Sequence, residues 1–204
     1  MLAEPAPAGQ QRAARDVSPQ EADERRPISA AVDCYIALGS NLGDRARHIA
    51  AAWRALSTHP NIETVSTASL YQTAPVGGPP EQDPYLNTVI CVRTSLPPEA
   101  LLRLCLDIED RLGRKRLEPD GPRTIDIDML LFGDRVCHTA ALILPHPRMH
   151  LRRFVLAPLA EIAPGVLHPT VRRRIDELLA DLEPAEVTGQ CCVRVADAGW
   201  QLGC

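Results

Sequence analysis

Asp126 and Asp128 stand one residue apart in the run Gly121-Pro122-Arg123-Thr124-Ile125-Asp126-Ile127-Asp128. In an extended strand, side chains alternate between faces, so Thr124, Asp126 and Asp128 share one face and Ile125, Ile127 and Met129 the other. The apolar face can anchor in a core. The two carboxylates, roughly 7 Å apart along a strand, repel each other and contribute nothing structurally unless a cation sits with them. Hard divalent ions fit that need, and Mg²⁺ typically combines one or two carboxylates with substrate phosphates. Arg123, just ahead of the pair, offers a planar fork for a phosphate. Taken alone, the two aspartates could merely pair with neighbouring arginines. The surroundings favour phosphate chemistry: Arg114, Lys115 and Arg116 lie in a loop between Gly113 and Gly121-Pro122, and Pro145-His146-Pro147-Arg148 follows downstream. Together these supply the cations and donors that a triphosphate with metal ions requires.

Other polar clusters read differently. Arg103 and Arg172-Arg173-Arg174 fall on helical patterning away from the aspartates and read as solvated surface. His146, between two prolines, is open to either a capping role or ligand contact. His146 and His150 are four apart, but Pro147 argues against a helix across them, so zinc is not expected. Gly39-Ser40-Asn41-Leu42-Gly43-Asp44 lacks the Gly-Lys-Ser/Thr of a phosphate loop and reads as a strand-to-helix turn with no catalytic part.

The elements that must position these residues follow from periodicity. Val32 to Leu38 reads as a short strand ending in the Gly39 turn. A helix of about four turns should follow, with Ile49, Ala52, Trp53 and Leu56 on one face and Pro60 beyond its end. Thr64 to Tyr71 alternates as one strand and Tyr85 to Thr94 as another. The connection between them, Gln72 to Pro84, is longer than usual and suggests a functional loop. Pro97-Pro98-Glu99 opens a helix with the stripe Leu101, Cys105, Ile108 and Leu112, Glu109 at its edge and Gly113 closing it. The Asp strand runs to about Phe132, with a turn at Gly133-Asp134. Helical patterning returns over 152–162 and 171–182. Val193, Val195 and Trp200 fit either an added strand or a frayed tail. Strands and helices in this order imply an α+β sandwich with a mostly antiparallel sheet. Residues 1–31 read as a disordered extension, 32–183 as the catalytic domain and 184–204 as a C-terminal tail.

Composition bounds the function. Hydrophobic residues make up 45% of the 204-residue chain and aromatics only 3%, so the core must be aliphatic and each aromatic invites a question. A net charge of −4 argues against a nucleic-acid or anionic-membrane binder. The seven cysteines form no CxxC and leave an odd count, which points to free thiols and a reducing cytoplasm. No apolar run is long enough to span a membrane, and the first residues lack the apolar core of a secretory signal.

Four segments in register resemble the 6-hydroxymethyl-7,8-dihydropterin pyrophosphokinase family. They are Tyr35-Ile36-Ala37-Leu38-Gly39-Ser40-Asn41-Leu42-Gly43; Tyr85-Leu86-Asn87; the Gly121 to Asp128 run; and Pro145-His146-Pro147-Arg148 with Arg152-Arg153-Phe154-Val155-Leu156. The resemblance implies a ferredoxin-like fold and transfer of the β,γ-pyrophosphoryl group of ATP to the pterin hydroxymethyl oxygen, releasing AMP. It implies that Asp126 and Asp128 hold two Mg²⁺ ions and that Arg116 and Arg123 act with them in catalysis. It also implies that Glu109, Arg114, Arg116, Arg123, Met129, His146 and Arg152 attend the nucleotide. For the pterin it implies Thr73, Ala74, Pro75, Val76, Tyr85, Asn87, Asp126 and Phe154. Asp120 stands near where some members carry a loop Trp, and Ala141 and Ile143 stand where some carry Arg and Thr. A monomer with small-molecule substrates is expected.

The sequence also admits two rival classes. A ferredoxin-like RNA-binding module would want aromatics on central strands and a basic face. An Asp-x-Asp phosphatase would want a parallel sheet with the motif near its start.

Overall fold

A computed structural model describes residues 31–79, 82–115, 121–182 and 189–196. Eight strands and four α-helices follow in chain order: β1 (Val32–Ser40), α1 (Arg45–Ser57), β2 (Ile62–Thr67), β3 (Leu70–Thr73), β4 (Tyr85–Thr94), α2 (Pro98–Arg111), β5 (Asp126–Phe132), β6 (Cys137–His138), β7 (Ile143–Leu144), α3 (Arg153–Ile162), α4 (Ile175–Asp181) and β8 (Cys192–Ala196), among the described residues. A 3₁₀ turn, Met149–Leu151, leads into α3. The main sheet is antiparallel throughout, in the order β5-β1-β4-β3-β8, with β2 also paired to β4. This is the expected α+β architecture.

The aliphatic composition builds a core on each side of the sheet. Ile36, Leu38, Ile90 and Val92 point to one face and pack with Ile49, Ala52 and Leu56 of α1 and Leu101, Cys105 and Ile108 of α2. Val89, Leu130 and Leu131 point to the other and pack with Val155, Leu156 and Leu159 of α3 and Ile175 and Leu178 of α4. Ile36 and Leu38 are fully buried, so truncating either to Ala should cost about 3 kcal/mol. Strand β5 contributes to both cores by alternation, and its register slips beside Tyr35/Ile36, where Ile36 faces Met129 and Tyr35 faces Leu131. Leu130 is left without a counterpart, a bulge that lets Leu131 join Leu130 on the α3 side.

Several expectations change. The strand read to Leu38 continues through Gly39 and Ser40, which pair with Asn87 and Leu86. A Cβ on Gly39 would lie 2.7 Å from Asn87 Oδ1, so glycine serves close approach within a strand rather than a turn. The single strand read over Thr64 to Tyr71 is two, β2 and β3, interrupted at the buried Ala68 and Ser69. Ser69 donates its N–H and hydroxyl to Glu161 on α3, a partner local alternation cannot reveal. The helix read from Val171 starts at Ile175, because Arg172 sits at φ +60° and the Glu177 carboxylate reaches back to accept the Arg174 N–H at 3.2 Å, holding the first turn. Val193 and Val195 belong to a strand, β8, while Trp200 lies outside the described residues.

Candidate functional site

Strand β5 enters the sheet with Asp126 and Asp128 opposite Gly39 and Ala37 of β1. Those small partners leave the carboxylates room on the α3 side of the sheet. Ile125, Ile127 and Met129 are buried on the other side, anchoring the strand as the alternation requires. Met129 accordingly packs its side chain into the α1/α2 core, away from the carboxylates, and has only its backbone to offer a ligand there.

Asp126 is gripped from two directions. Arg114 Nη1 lies 2.7 Å from its Oδ1, and Arg123 Nη1 lies 2.7 Å from its Oδ2. Arg114 also pairs with Glu109, whose Oε1 accepts the Ile127 N–H at 2.7 Å. Glu109, only 2% exposed, therefore holds Arg114 and the start of β5. Burial pushes its carboxyl upward, opposed by the Ile127 N–H and Arg114. Asp128 is in a different position. Burial first and the Asp126 charge second push its carboxyl to about 7, with Arg152 and Arg114 opposing. An acid of this kind near neutrality is a site waiting for positive charge.

His146 donates its N–H to the Leu130 carbonyl at 2.9 Å, and its Nδ1 accepts the Arg148 N–H at 3.2 Å. Burial, then Arg152 and Arg148, hold its pKa down at about 4, so the ring is neutral at pH 7. The guanidinium of Arg152 lies 5.4 Å from the centre of the Phe154 ring. Beside these groups opens a cleft walled by Thr73, Ala74, Val76, Tyr85, Asn87 and Phe154, with Arg123, Asp126, Asp128 and Arg152 on its polar side. Asn87 Nδ2 donates to the Thr73 hydroxyl at 2.7 Å.

Most of the expected site residues thus come together. Pro75 does not line the cavity although its neighbours do. Arg116 and Asp120 lie outside the described residues. Among the described residues no group of three or more His, Cys, Asp or Glu could hold a metal by itself. Two carboxylates on one face, one of them raised by burial, still suit Mg²⁺, which takes its remaining ligands from phosphate and water.

Two residues passed over in the sequence join the site. Asn41, read as part of a turn, accepts the Arg123 N–H at 2.8 Å and donates its own N–H to the Arg123 carbonyl at 3.1 Å. Its Nδ2 donates to Gln82 Oε1 at 3.3 Å and to the Asp83 carbonyl at 3.4 Å. Gln82 in turn donates to the Gly77 and Pro79 carbonyls, both at 3.2 Å. One buried amide therefore ties the end of β1 to the Gly-Pro-Arg lead-in and to the long loop after β3. The usable signal was chemical: an Asn beside a strand end can bond neighbouring backbone in both senses.

An antiparallel sheet that gathers paired carboxylates and arginines at the polar side of an apolar-walled cleft is the arrangement of a phosphate-transferring enzyme. The family model for 7,8-dihydro-6-hydroxymethylpterin-pyrophosphokinase matches residues 35–164. The 2-amino-4-hydroxy-6-hydroxymethyldihydropteridine pyrophosphokinase of Bacillus subtilis is 48% identical over 132 residues, covering 65% of this chain and 78% of that protein. The protein of the same name from Methylorubrum extorquens is 43% identical over 155 residues, covering 75% of this chain and 95% of that one. The crystal structure of wild-type Plasmodium falciparum HPPK-DHPS with STZ-DHP superimposes with a TM-score of 0.61 at 15% identity, over 78% of this chain and 45% of that longer chain. At that identity the likeness speaks of fold alone. The chain belongs to the 7,8-dihydro-6-hydroxymethylpterin-pyrophosphokinase family.

Neither rival class survives. The phosphatase reading needs a parallel sheet with Asp-x-Asp near its start, whereas the pair sits on the fifth strand of an antiparallel one. The family match likewise disfavours the nucleic-acid-binding module. Among the described residues no helix is long and apolar enough to cross a membrane.

Proposed function

We propose that this cleft carries out the reaction of its family, moving the pyrophosphoryl group of ATP to the hydroxymethyl oxygen of 6-hydroxymethyl-7,8-dihydropterin and releasing AMP in folate biosynthesis. ATP is the co-substrate. The observation that carries the reading is the unequal pair on β5: Asp126 is already matched by Arg114 and Arg123, while Asp128 is pushed to about 7.

Asp126 and Asp128 would hold two Mg²⁺ ions. When bound, these supply charge neutralisation to the triphosphate and lower the pKa of the attacking hydroxyl. The remaining work belongs to the chain. Arg114 and Arg123 exchange the Asp126 carboxylate for phosphate oxygens, so their charge is in place before the transferring group redistributes its own. Arg116 acts beside them. Glu109 contributes by holding Arg114 and the Ile127 N–H rather than by touching the nucleotide. Arg152 and neutral His146 line the nucleotide side, and Met129 contributes backbone only. For the pterin, Tyr85 and Phe154 offer ring faces, Asn87 an amide, and the backbone of Thr73, Ala74, Pro75 and Val76 an edge to read hydrogen bonds. Holding the hydroxymethyl oxygen in line with the β-phosphorus is the main service of this wall.

Free thiols support a reducing, cytoplasmic setting, and the net charge of −4 supports an enzyme without a nucleic-acid partner; a monomer is proposed. The catalytic domain is taken as 32–183, preceded by segment 1–31 and followed by segment 184–204, from which β8 pairs onto the domain's sheet. The test is product identity: AMP formed from ATP and Mg²⁺ only when the pterin is present supports the reaction. ADP with phosphate, or AMP formed without pterin, would overturn it.

A further inference from the structure

Strand β8 and Gln190 lie beyond the residues matched by the family model, which end at 164. They touch both walls of the pterin cleft. β8 pairs with β3 so that Cys192 faces Thr73, whose other neighbour in the sheet is Tyr85 of β4. Without β8, a strand of four residues would form the edge of the sheet at the point where the Thr73 to Val76 wall begins. Short edge strands are among the least stable parts of a sheet, and a wall that reads a heterocycle edge by backbone hydrogen bonds needs fixed placement.

The second contact is on α3. Arg152, at its N-cap position, makes no side-chain cap, and the first turn holds no acid. The Arg153 N–H is met instead by Gln190 Oε1 at 2.8 Å, while Gln190 Nε2 donates to the Leu151 carbonyl at 3.3 Å. Gln190 thus brackets Arg152 and fixes the turn from which Phe154 projects. Gly189 at φ +65° provides the backbone turn that brings it there. At the far end of α3, Glu161 accepts from Ser69 and from the Tyr71 hydroxyl at 2.8 Å, tying the helix back to the start of β3. The chain from β3 through Glu161, α3, Gln190 and β8 returns to β3 as a closed ring.

We infer that the segment 189–196 is a clamp that positions the two walls of the pterin cleft, with Gln190 as its positioning residue. This rests on the assignment of the pterin to this cleft. The clamp spans the Thr73 wall through the sheet and the Phe154 wall through the helix cap, so losing either half should loosen the pterin.

The test uses the full chain in three forms besides wild type: Gln190→Ala, Gln190→Glu, and a form with residues 192–196 replaced by a Gly/Ser sequence of equal length. Pterin Kd is measured by titration calorimetry with Mg²⁺ and a non-hydrolysable ATP analogue, alongside AMP formation and Tm. Gln190→Ala is expected to weaken pterin binding about five-fold, the scale of a lost helix cap. Gln190→Glu, which retains an acceptor for the Arg153 N–H, recovers most of that loss. The β8 replacement weakens pterin binding at least as much while leaving the KM for ATP near wild type. A purely structural segment would lower Tm and leave Kd unmoved, and that result overturns the clamp, as does a Gln190→Glu form no better than Gln190→Ala. A wild type that binds pterin without forming AMP would sink the reaction while the Kd series still judges the clamp.

Discussion

Two arginine–carboxylate clusters in this molecule look alike in composition and behave oppositely. Around α4, Arg173 pairs with Asp181 and Glu177, and Arg174 with Asp176. Their side chains are about half exposed, 41% for Arg173 and 54% for Asp181. Around β5, Arg114 and Arg123 are 11% and 17% exposed and share one carboxylate, Asp126, at 22%. In the first cluster every charge has a partner and water screens the rest, so each pair contributes little. In the second, burial first and the Asp126 charge second push Asp128 to about 7, while the arginines at ion-pairing distance hold Asp126. A charge cluster that is satisfied decorates a surface. One that is buried and left incomplete is kept for a ligand.

Changes at the buried cluster should therefore dominate. Asp128→Asn keeps shape and removes the charge, and is expected to lower kcat for AMP formation by about a thousand-fold or more, read from initial rates at saturating substrates. Arg123→Ala should reduce kcat by about a hundred-fold, on the scale of removing one donor to developing charge. A loss confined to KM for ATP would mean that Arg123 binds without assisting the chemical step. Phe154→Ala should raise the pterin KM roughly ten-fold through lost ring contact and leave the KM for ATP within two-fold. At the exposed cluster, Arg173→Ala should shift Tm by about 1 °C or less and leave both kinetic constants unchanged. A large kinetic effect there would erase the contrast between the two clusters.

The same contrast explains what could be read from residues alone. The Asp-x-Asp strand, the stripes of α1 and α2 and the β4 strand follow local alternation, which reports a face directly. Gly39 was misread because its need for a missing side chain comes from Asn87, a partner 48 positions away across the sheet. Ser69 breaks a strand because Glu161 waits on α3. Arg123 falls within the expected motif, yet its placement depends on Asn41 and, through it, Gln82. Periodicity shows what is buried, whereas these residues are fixed by partners that only the folded chain supplies. The different roles of Asp126 and Asp128 were equally invisible, since identical side chains two apart are told apart by the burial of one and the arginines that reach the other.

That difference has a sign in stability. A folded-state carboxyl at about 7, against 3.8 for its unfolded value, binds a proton in the fold that the unfolded chain lacks between those pH values. Its penalty is therefore small at pH 4, grows as pH rises and is complete above about pH 7. His146, held down at about 4, acts the other way. The fold loses stability as pH falls from 6.5 toward 4, so at pH 8 His146 is neutral in both states and drops out.

The most direct test is the Tm of wild type and Asp128→Asn at pH 8, with EDTA and then with Mg²⁺ and a non-hydrolysable ATP analogue. In EDTA the variant should melt roughly 3 °C or more above wild type, because the unpaired buried charge is gone. With Mg²⁺ and nucleotide the order should invert, since only wild type has the carboxylate to complete the site. A variant that melts below wild type in both conditions would show Asp128 to be an ordinary structural partner, and would contradict the claim that its charge is held for a ligand.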